Sequence, residues 1–176
     1  MEQRIITKES TDIAVFDQLF TEAFPPEERL LPSTLAEFEG IVLNGFYENN
    51  NPVGMMVTVN FQGFVYILFL ATFAQYRGQG IGSKVINAFY ENNPDTFTMG
   101  VIEKPEDSAA NNAQRLARQK FYERLGYKIY DFSLNFHNTD FLTIAKGSDA
   151  DNKEVVERHW HTMMTIAAQL KGAFEE

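Results

Sequence analysis

The chain has 176 residues, 44% hydrophobic and 22% charged, with 15 Lys+Arg against 24 Asp+Glu (formal net charge -9) and no Cys. That length suits a single domain, since cores divide only beyond roughly 250 residues, and the apolar content excludes wholesale disorder. Disulfide scaffolds, Cys-based zinc sites, iron–sulfur clusters and a Cys nucleophile are excluded together; the acidic balance speaks against a nucleic-acid partner, which needs clustered Lys/Arg, and suits a cationic substrate such as an amine.

Along the chain, residues 4–7 read as a short opening strand. Ile13, Phe16, Leu19, Phe20 and Phe24 recur at helical spacing, and Pro25-Pro26 stops that helix. Ser33 and Thr34, with Glu37 following, predict a second helix over 34–41. Residues 45–48 and 52–60 flank Asn49-Asn50-Asn51 as a hairpin. The stretch 64–74 is apolar at nearly every position, as in a strand buried on both faces. A glycine-rich turn and a helix carrying Ile81, Val85, Ile86 and Phe89 come next. Residues 96–102 form a strand, 113–125 a helix closed by Gly126, and 127–136 and 140–146 two further strands. Asp151 and Glu154 resemble a capping box for a final amphipathic helix bearing Val156, Trp160, Met163, Ala167, Leu170 and Phe174. The predicted order is β-α-α-β-β-β-α-β-α-β-β-α. That is an α/β (α+β) fold with a mixed sheet, mainly antiparallel, with a parallel crossover over 64–102.

No stretch approaches the roughly 20 apolar residues of a membrane span. The segment MEQRIITKESTD lacks the apolar core of a signal peptide, so a cytoplasmic protein is expected. His137, His159 and His161 have no metal-ligand spacing, and two His at i, i+2 point apart on a helix; no metal is expected.

The most specific local signal is Arg77-Gly78-Gln79-Gly80-Ile81-Gly82, between the buried strand and a helix. Free N–H groups and a partial positive charge at a helix N-terminus attract phosphate. The alternating glycines keep side chains from holding an anion off the backbone. The spacing is neither GxGxxG, which needs Gly where Ser83 stands, nor GxxxxGK[ST], because Gly82 is followed by Ser83-Lys84. On the helix that follows residue 111, Arg115, Arg118 and Tyr122 fall on one face. Ala113, Leu116, Ala117 and Phe121 fall roughly opposite, on the expected core face.

The stretch from Leu70 to Ser83, with Arg77, Gly80 and Gly82 in an [RQ]xxGx[GA] core, resembles the GNAT superfamily of acyl-CoA-dependent N-acetyltransferases. Phe121-Tyr122-Glu123-Arg124-Leu125-Gly126-Tyr127 is similar to its FYxxxGF/Y motif. The resemblance implies a GNAT-like acyl-CoA N-acyltransferase fold over 1–146, with 147–176 a helical extension docked on the domain or on a second subunit as a homodimer contact. It implies acetyl-CoA as donor. Leu70, Ala71 and Thr72 would bond the pantetheine arm, and the amides of Arg77, Gly78, Gln79, Gly80, Ile81, Gly82 and Ser83 would hold the pyrophosphate. Asn111 or Asn112 and Arg118 are the nearby side chains for further cofactor contacts, Arg118 serving either a phosphate or a surface ion pair.

By the same resemblance Tyr122 is the general acid to the departing thiolate. Its ordinary pKa of about 10 lies above the thiol's, about 8.5. The acceptor is a primary amine of a small molecule or peptide, and it must lose a proton before it can attack. Glu103, Glu28, Glu27 and a water chain compete as the base, with Phe24, Glu27, Phe46 and Tyr47 lining the acceptor pocket. The rival expectation is a non-catalytic acyl-CoA-binding or protein-interaction module of the same fold.

Overall fold

The computed structural model describes residues 1–26, 29–136 and 138–174. Its elements follow the predicted order. β1 (Glu2–Ile6), α1 (Ile13–Ala23), α2 (Pro32–Leu35), β2 (Ile41–Glu48), β3 (Asn51–Phe61), β4 (Phe64–Thr72), a 3-10 turn (Ala74–Tyr76) and α3 (Ile81–Asn92) come first. β5 (Thr98–Glu103), α4 (Asn112–Arg124), β6 (Lys128–Phe136), β7 (Thr139–Lys146) and α5 (Lys153–Phe174) complete the chain. These elements fall into two compact units, Met1–Thr96 and Phe97–Glu176.

In the first unit β1 to β4 pair antiparallel in chain order. Asn49 and Asn50 both have positive φ, the two left-handed residues a tight hairpin needs. Phe16, Leu19 and Phe20 of α1 and Leu35 of α2 pack with Leu43, Met55, Val57 and Ala71 on one face of this sheet. Side chains alternate along a strand, so Asn44 points to the other face. There its amide donates to Met56 O and Thr58 Oγ1, while Gln3 donates to its Oδ1. Asn92, at the end of α3, donates to Gln3 in turn, and α3 covers this second face with Val85, Ile86 and Phe89. In β4, Ile67 pairs Thr58 and Phe69 pairs Val57, leaving Leu68 as an extra residue. The bulge turns both Leu68 and Phe69 towards the core under α1.

α2 differs from the expected helix over 34–41. Pro32 starts it, no side chain caps it, and it ends after four residues; Ile41 already belongs to β2. Asp17 of α1 takes over the capping task by accepting from Ser33 N.

In the second unit β7 lies between β5 and β6, antiparallel to both. Met99, Ile102, Leu142, Ile144, Ala145 and Val156 are among its buried residues. Residues 131–133 of β6 bulge out between the pairs Tyr130–Thr143 and Leu134–Phe141. α4 packs on β5 and β6 and ends in a Schellman arrangement, with Tyr127 N donating to Tyr122 O and Gly126 N to Glu123 O. Gly126 sits at φ 83, which glycine adopts without strain. The cap of α5 is Asn152, whose Oδ1 accepts from Val155 N. Asp151, expected in that role, pairs with Lys128 at 2.8 Å. Among the described residues, no helix is long and apolar enough to cross a membrane.

Candidate active site

The glycine-rich turn is built as an open row of donors. Tyr76 N and Arg77 N close the 3-10 turn onto Phe73 O and Ala74 O. Gly78 and Gly80 then take φ of 75 and 76. Gly80 is the residue before α3, where no side chain caps the helix. Among the described residues, the N–H groups of Gly78, Gly80, Ile81, Gly82 and Ser83 have no hydrogen-bond acceptor. A Cβ at Gly78 or Gly80 would meet nothing within 4 Å, so the space beside these two glycines is open. Gln79 folds its amide back onto Gln75 O at 2.6 Å. The one cation in the first turn of α3, Lys84, is paired with Glu48 at 2.8 Å. The turn thus offers main-chain dipoles, a geometry that suits a diphosphate. Leu70, Ala71 and Thr72 immediately precede it, paired with Met56, Met55 and Gly54 of β3.

The second unit concentrates its chemistry where β5 ends and α4 begins. Glu103, the last residue of β5, accepts from Asn111 Nδ2 at 3.1 Å and from Arg118 Nη1, and lies 3.3 Å from Arg115 Nε. Arg115 also donates to Asn111 Oδ1 at 2.8 Å and to Lys104 O at 3.0 Å. Burial pushes the Glu103 carboxyl up. The hydrogen bonds from Asn111 and Arg118 and the charges of Arg118 and Arg115 outweigh it and hold the carboxyl below the usual range. Tyr122 is 7% exposed, with ring centroids 5.1 Å from both Phe121 and Tyr127. Among the described residues no group bonds its hydroxyl. Burial pushes the phenol up to about 12, against the pull of the Arg118 charge, so near neutral pH it is a protonated donor.

Several expected roles change. α4 does not bury Ala113, Leu116, Ala117 and Phe121. Its buried residues are Arg115 and Tyr122, and Leu116 is 43% exposed. Arg115, read from sequence only as a cation on the polar face, is instead the buried anchor of the helix. No hydropathy signal marks such a residue, because its burial depends on the acceptors that β5 supplies. Arg118 spends its guanidinium on Glu103. Asn112 accepts from Glu106 N and donates to Asp107, so its amide shapes the loop before α4. Phe46 is 0% exposed and belongs to the core. Tyr47, on the opposite face of β2, donates to Asp12 at 2.9 Å and lies under the Arg4 guanidinium at 4.1 Å. Its edge lines a cavity of about 500 Å³ with Met1, Glu2, Glu48, Asn49 and Asn50. Phe24 forms an aromatic cluster with Phe20 and Phe69, each at 5.1 Å. Glu27 and Glu28 lie outside the described residues.

The profile of the acetyltransferase (GNAT) domain family matches residues 42–129. Among curated proteins none matches the chain by sequence. Solved structures share the fold. A GNAT-family protein from Bacteroides thetaiotaomicron matches at TM-score 0.75 and 18% identity over 93% of this chain and 98% of its own. The ribosomal-protein-S18-alanine N-acetyltransferase from Escherichia coli matches at 0.63 and 16% identity, covering 86% and 98%. A GNAT acetyltransferase from Elizabethkingia anophelis with acetyl-CoA bound matches at 0.58 and 14% identity, covering 84% and 97%. The family match spans half of the sequence and takes in the donor-lined turn, Glu103 and Tyr122 alike, and the chain belongs to the GNAT acetyltransferase family.

Proposed function

We propose that the protein transfers the acetyl group of acetyl-CoA directly to a primary amine of a small molecule or a peptide. The observation that carries this reading is the set of unpartnered amides at Gly78, Gly80, Ile81, Gly82 and Ser83, at the head of α3 and with open space beside Gly78 and Gly80. A diphosphate takes up those donors without a bulky side chain in its way. Acetyl-CoA as donor is further supported by the related acetyltransferase with that molecule bound. An amine of a peptide has a counterpart in the neighbour named for acetylating a ribosomal protein.

In this mechanism the amides of Gly78, Gly80, Ile81, Gly82 and Ser83 grip the diphosphate, those of Arg77 and Gln79 being spent on Ala74 O and Tyr76 O, and the backbone of Leu70, Ala71 and Thr72 orients the pantetheine arm. The amine attacks as a neutral nucleophile, and main-chain N–H groups near Ala71 and Thr72 receive the developing oxyanion. Tyr122 gives its phenolic proton to the departing sulfur. Glu103 is a weak base while two guanidiniums and an amide hold it, so the proton of the amine leaves through Glu28, Glu27 or a water chain. Without Cys, transfer has no thiol-linked enzyme intermediate.

The test is a thiol-release assay with acetyl-CoA over a panel of polyamines, aminoglycosides and peptides, run beside calorimetry with coenzyme A. Binding heat and amine-dependent thiol release are expected; no heat with any CoA derivative overturns the proposal. Tyr122→Phe is expected to slow kcat at least about ten-fold, a barrier increase of about 1.4 kcal/mol, with KM for acetyl-CoA nearly unchanged. An unaltered kcat removes Tyr122 from the chemistry.

A further inference from the structure

Arg118 and Tyr122 are four residues apart on α4, so their side chains are neighbours on one face of the helix. The Tyr122 ring is largely buried, its hydroxyl has no hydrogen-bond partner among the described residues, and the guanidinium is tied by Glu103 from β5. Around this pair the charges do not cancel. One carboxylate, Glu103, is shared by two guanidiniums, Arg115 and Arg118. The other cations on the neighbouring strands are committed elsewhere. Lys104, just after β5, pairs with Asp131 at 3.0 Å, and Lys128 of β6 with Asp151 at 2.8 Å. Lys146 of β7 lies 5.7 Å from the centroid of Tyr127, the ring that packs on Tyr122. On α4 itself, Glu123 accepts from Gln119 at 3.1 Å. Glu103, Arg115 and Arg118 together carry one net positive charge.

We infer that Arg118, aimed by Glu103, is a positioning residue for Tyr122: its charge stabilises the phenolate left when that side chain gives up its proton. The inference rests on the proposed role of Tyr122 as the acid. In the step concerned the carbon–sulfur bond breaks and its electron pair goes to sulfur. Sulfur takes the Oη proton, and the phenolate later recovers a proton from water. A phenolate on a largely buried ring is disfavoured unless a counter-charge stands beside it. Burial already lifts the phenol to about 12, well above the sulfur's ordinary value of about 8.5. Losing the Arg118 charge would lift it further and make the transfer steeper. This role also gives Glu103 a function that its low basicity permits.

The experiment places 3,5-difluorotyrosine at position 122, whose fluorines lower the phenol's midpoint into a range the folded protein tolerates. The fluorine resonance is then titrated with Arg118, Arg118→Met or Arg118→Lys in the same chain. Arg118→Met is expected to raise the midpoint by about one pH unit, and Arg118→Lys to restore most of it. With the natural tyrosine, Arg118→Met is expected to lower kcat about ten-fold, Arg118→Lys to recover most of that, and KM for acetyl-CoA to stay within about two-fold. An unchanged midpoint overturns the inference, as does a loss confined to KM, the mark of a guanidinium that binds a phosphate. Failure of the underlying reading looks different. The midpoint would still move with Arg118, but Tyr122→Phe would turn over at the full rate.

Discussion

Glu103 is only partly exposed, with 19% of its side-chain surface accessible, and its contacts decide what its carboxylate can do. Donors from Asn111, Arg115 and Arg118 all favour the ionised form, so its pKa in the folded protein lies below that of the unfolded chain. The stabilisation this brings is therefore complete above the unfolded value and is lost as pH falls through the folded one. Glu103→Gln is expected to cost about 1–2 kcal/mol at neutral pH, because Arg115 is left buried with a weaker partner. For a chain of this size that is a fall in Tm of about 3–6 °C, shrinking as pH falls below the ordinary carboxylate range and the wild-type carboxyl protonates. Thermal melts at neutral and low pH check it; a gap that persists at low pH would mean the loss is one of packing. The same variant separates base from positioning residue. If Glu103 only aims Arg118, the acid limb of kcat/KM survives in Glu103→Gln while kcat falls, whereas a base would take the limb with it.

At the scale of elements, the head of α3 works by what is missing from it. No side chain caps the helix, no acidic residue stands in its first turn, and the glycines at 78 and 80 hold left-handed conformations beside empty space. Two substitutions at one position separate conformation from electrostatics. Gly80→Ala meets no clash, but an L residue at φ 76 costs about 1–2 kcal/mol, so a modest fall in stability and weakened coenzyme A binding are expected. Gly80→Glu adds bulk and a negative charge where the diphosphate would sit, and calorimetry should detect no coenzyme A binding; retained binding would move the cofactor site elsewhere. This half of the site was legible in the sequence because glycine spacing after an apolar strand is a backbone signal, readable without tertiary contacts. The order of elements was legible for the same reason, each hydropathy period being local. α4 was not. Its buried residues are an arginine and a tyrosine, so its apolar stripe, Ala113 and Leu116 among it, indicates the wrong face. Phe46 and Tyr47 are read differently once the strand is in place: adjacent strand residues point to opposite faces, Tyr47 to the cluster under α1 and Phe46 away from it. The bulge at Leu68 left no mark because it is defined only by its partners in β3.

For the molecule as a whole, a formal charge of -9 sets a long-range field that treats the two proposed substrates oppositely. Acetyl-CoA is a polyanion approaching an acidic protein, and it is to be held by main-chain dipoles; Lys84, the cation in the first turn of α3, is already bound to Glu48. An ammonium-bearing acceptor is drawn by the same field. Salt screens both effects. Between about 0.01 M and about 0.1 M the Debye length falls from about 30 Å to about 10 Å, so repulsion of the donor and attraction of the acceptor both fade. KM for a polycationic amine is therefore expected to rise about three-fold or more over that range, while KM for acetyl-CoA stays level or falls. Steady-state kinetics at fixed pH, with one substrate saturating in each series, measures the two trends separately. A donor KM that climbs steeply with salt would mean that side-chain cations grip the phosphates, with Arg77 and a Lys84 released from Glu48 the first to examine. The amides at the head of α3 would then do no more than shape the turn, because uncharged donors at short range lose little to screening.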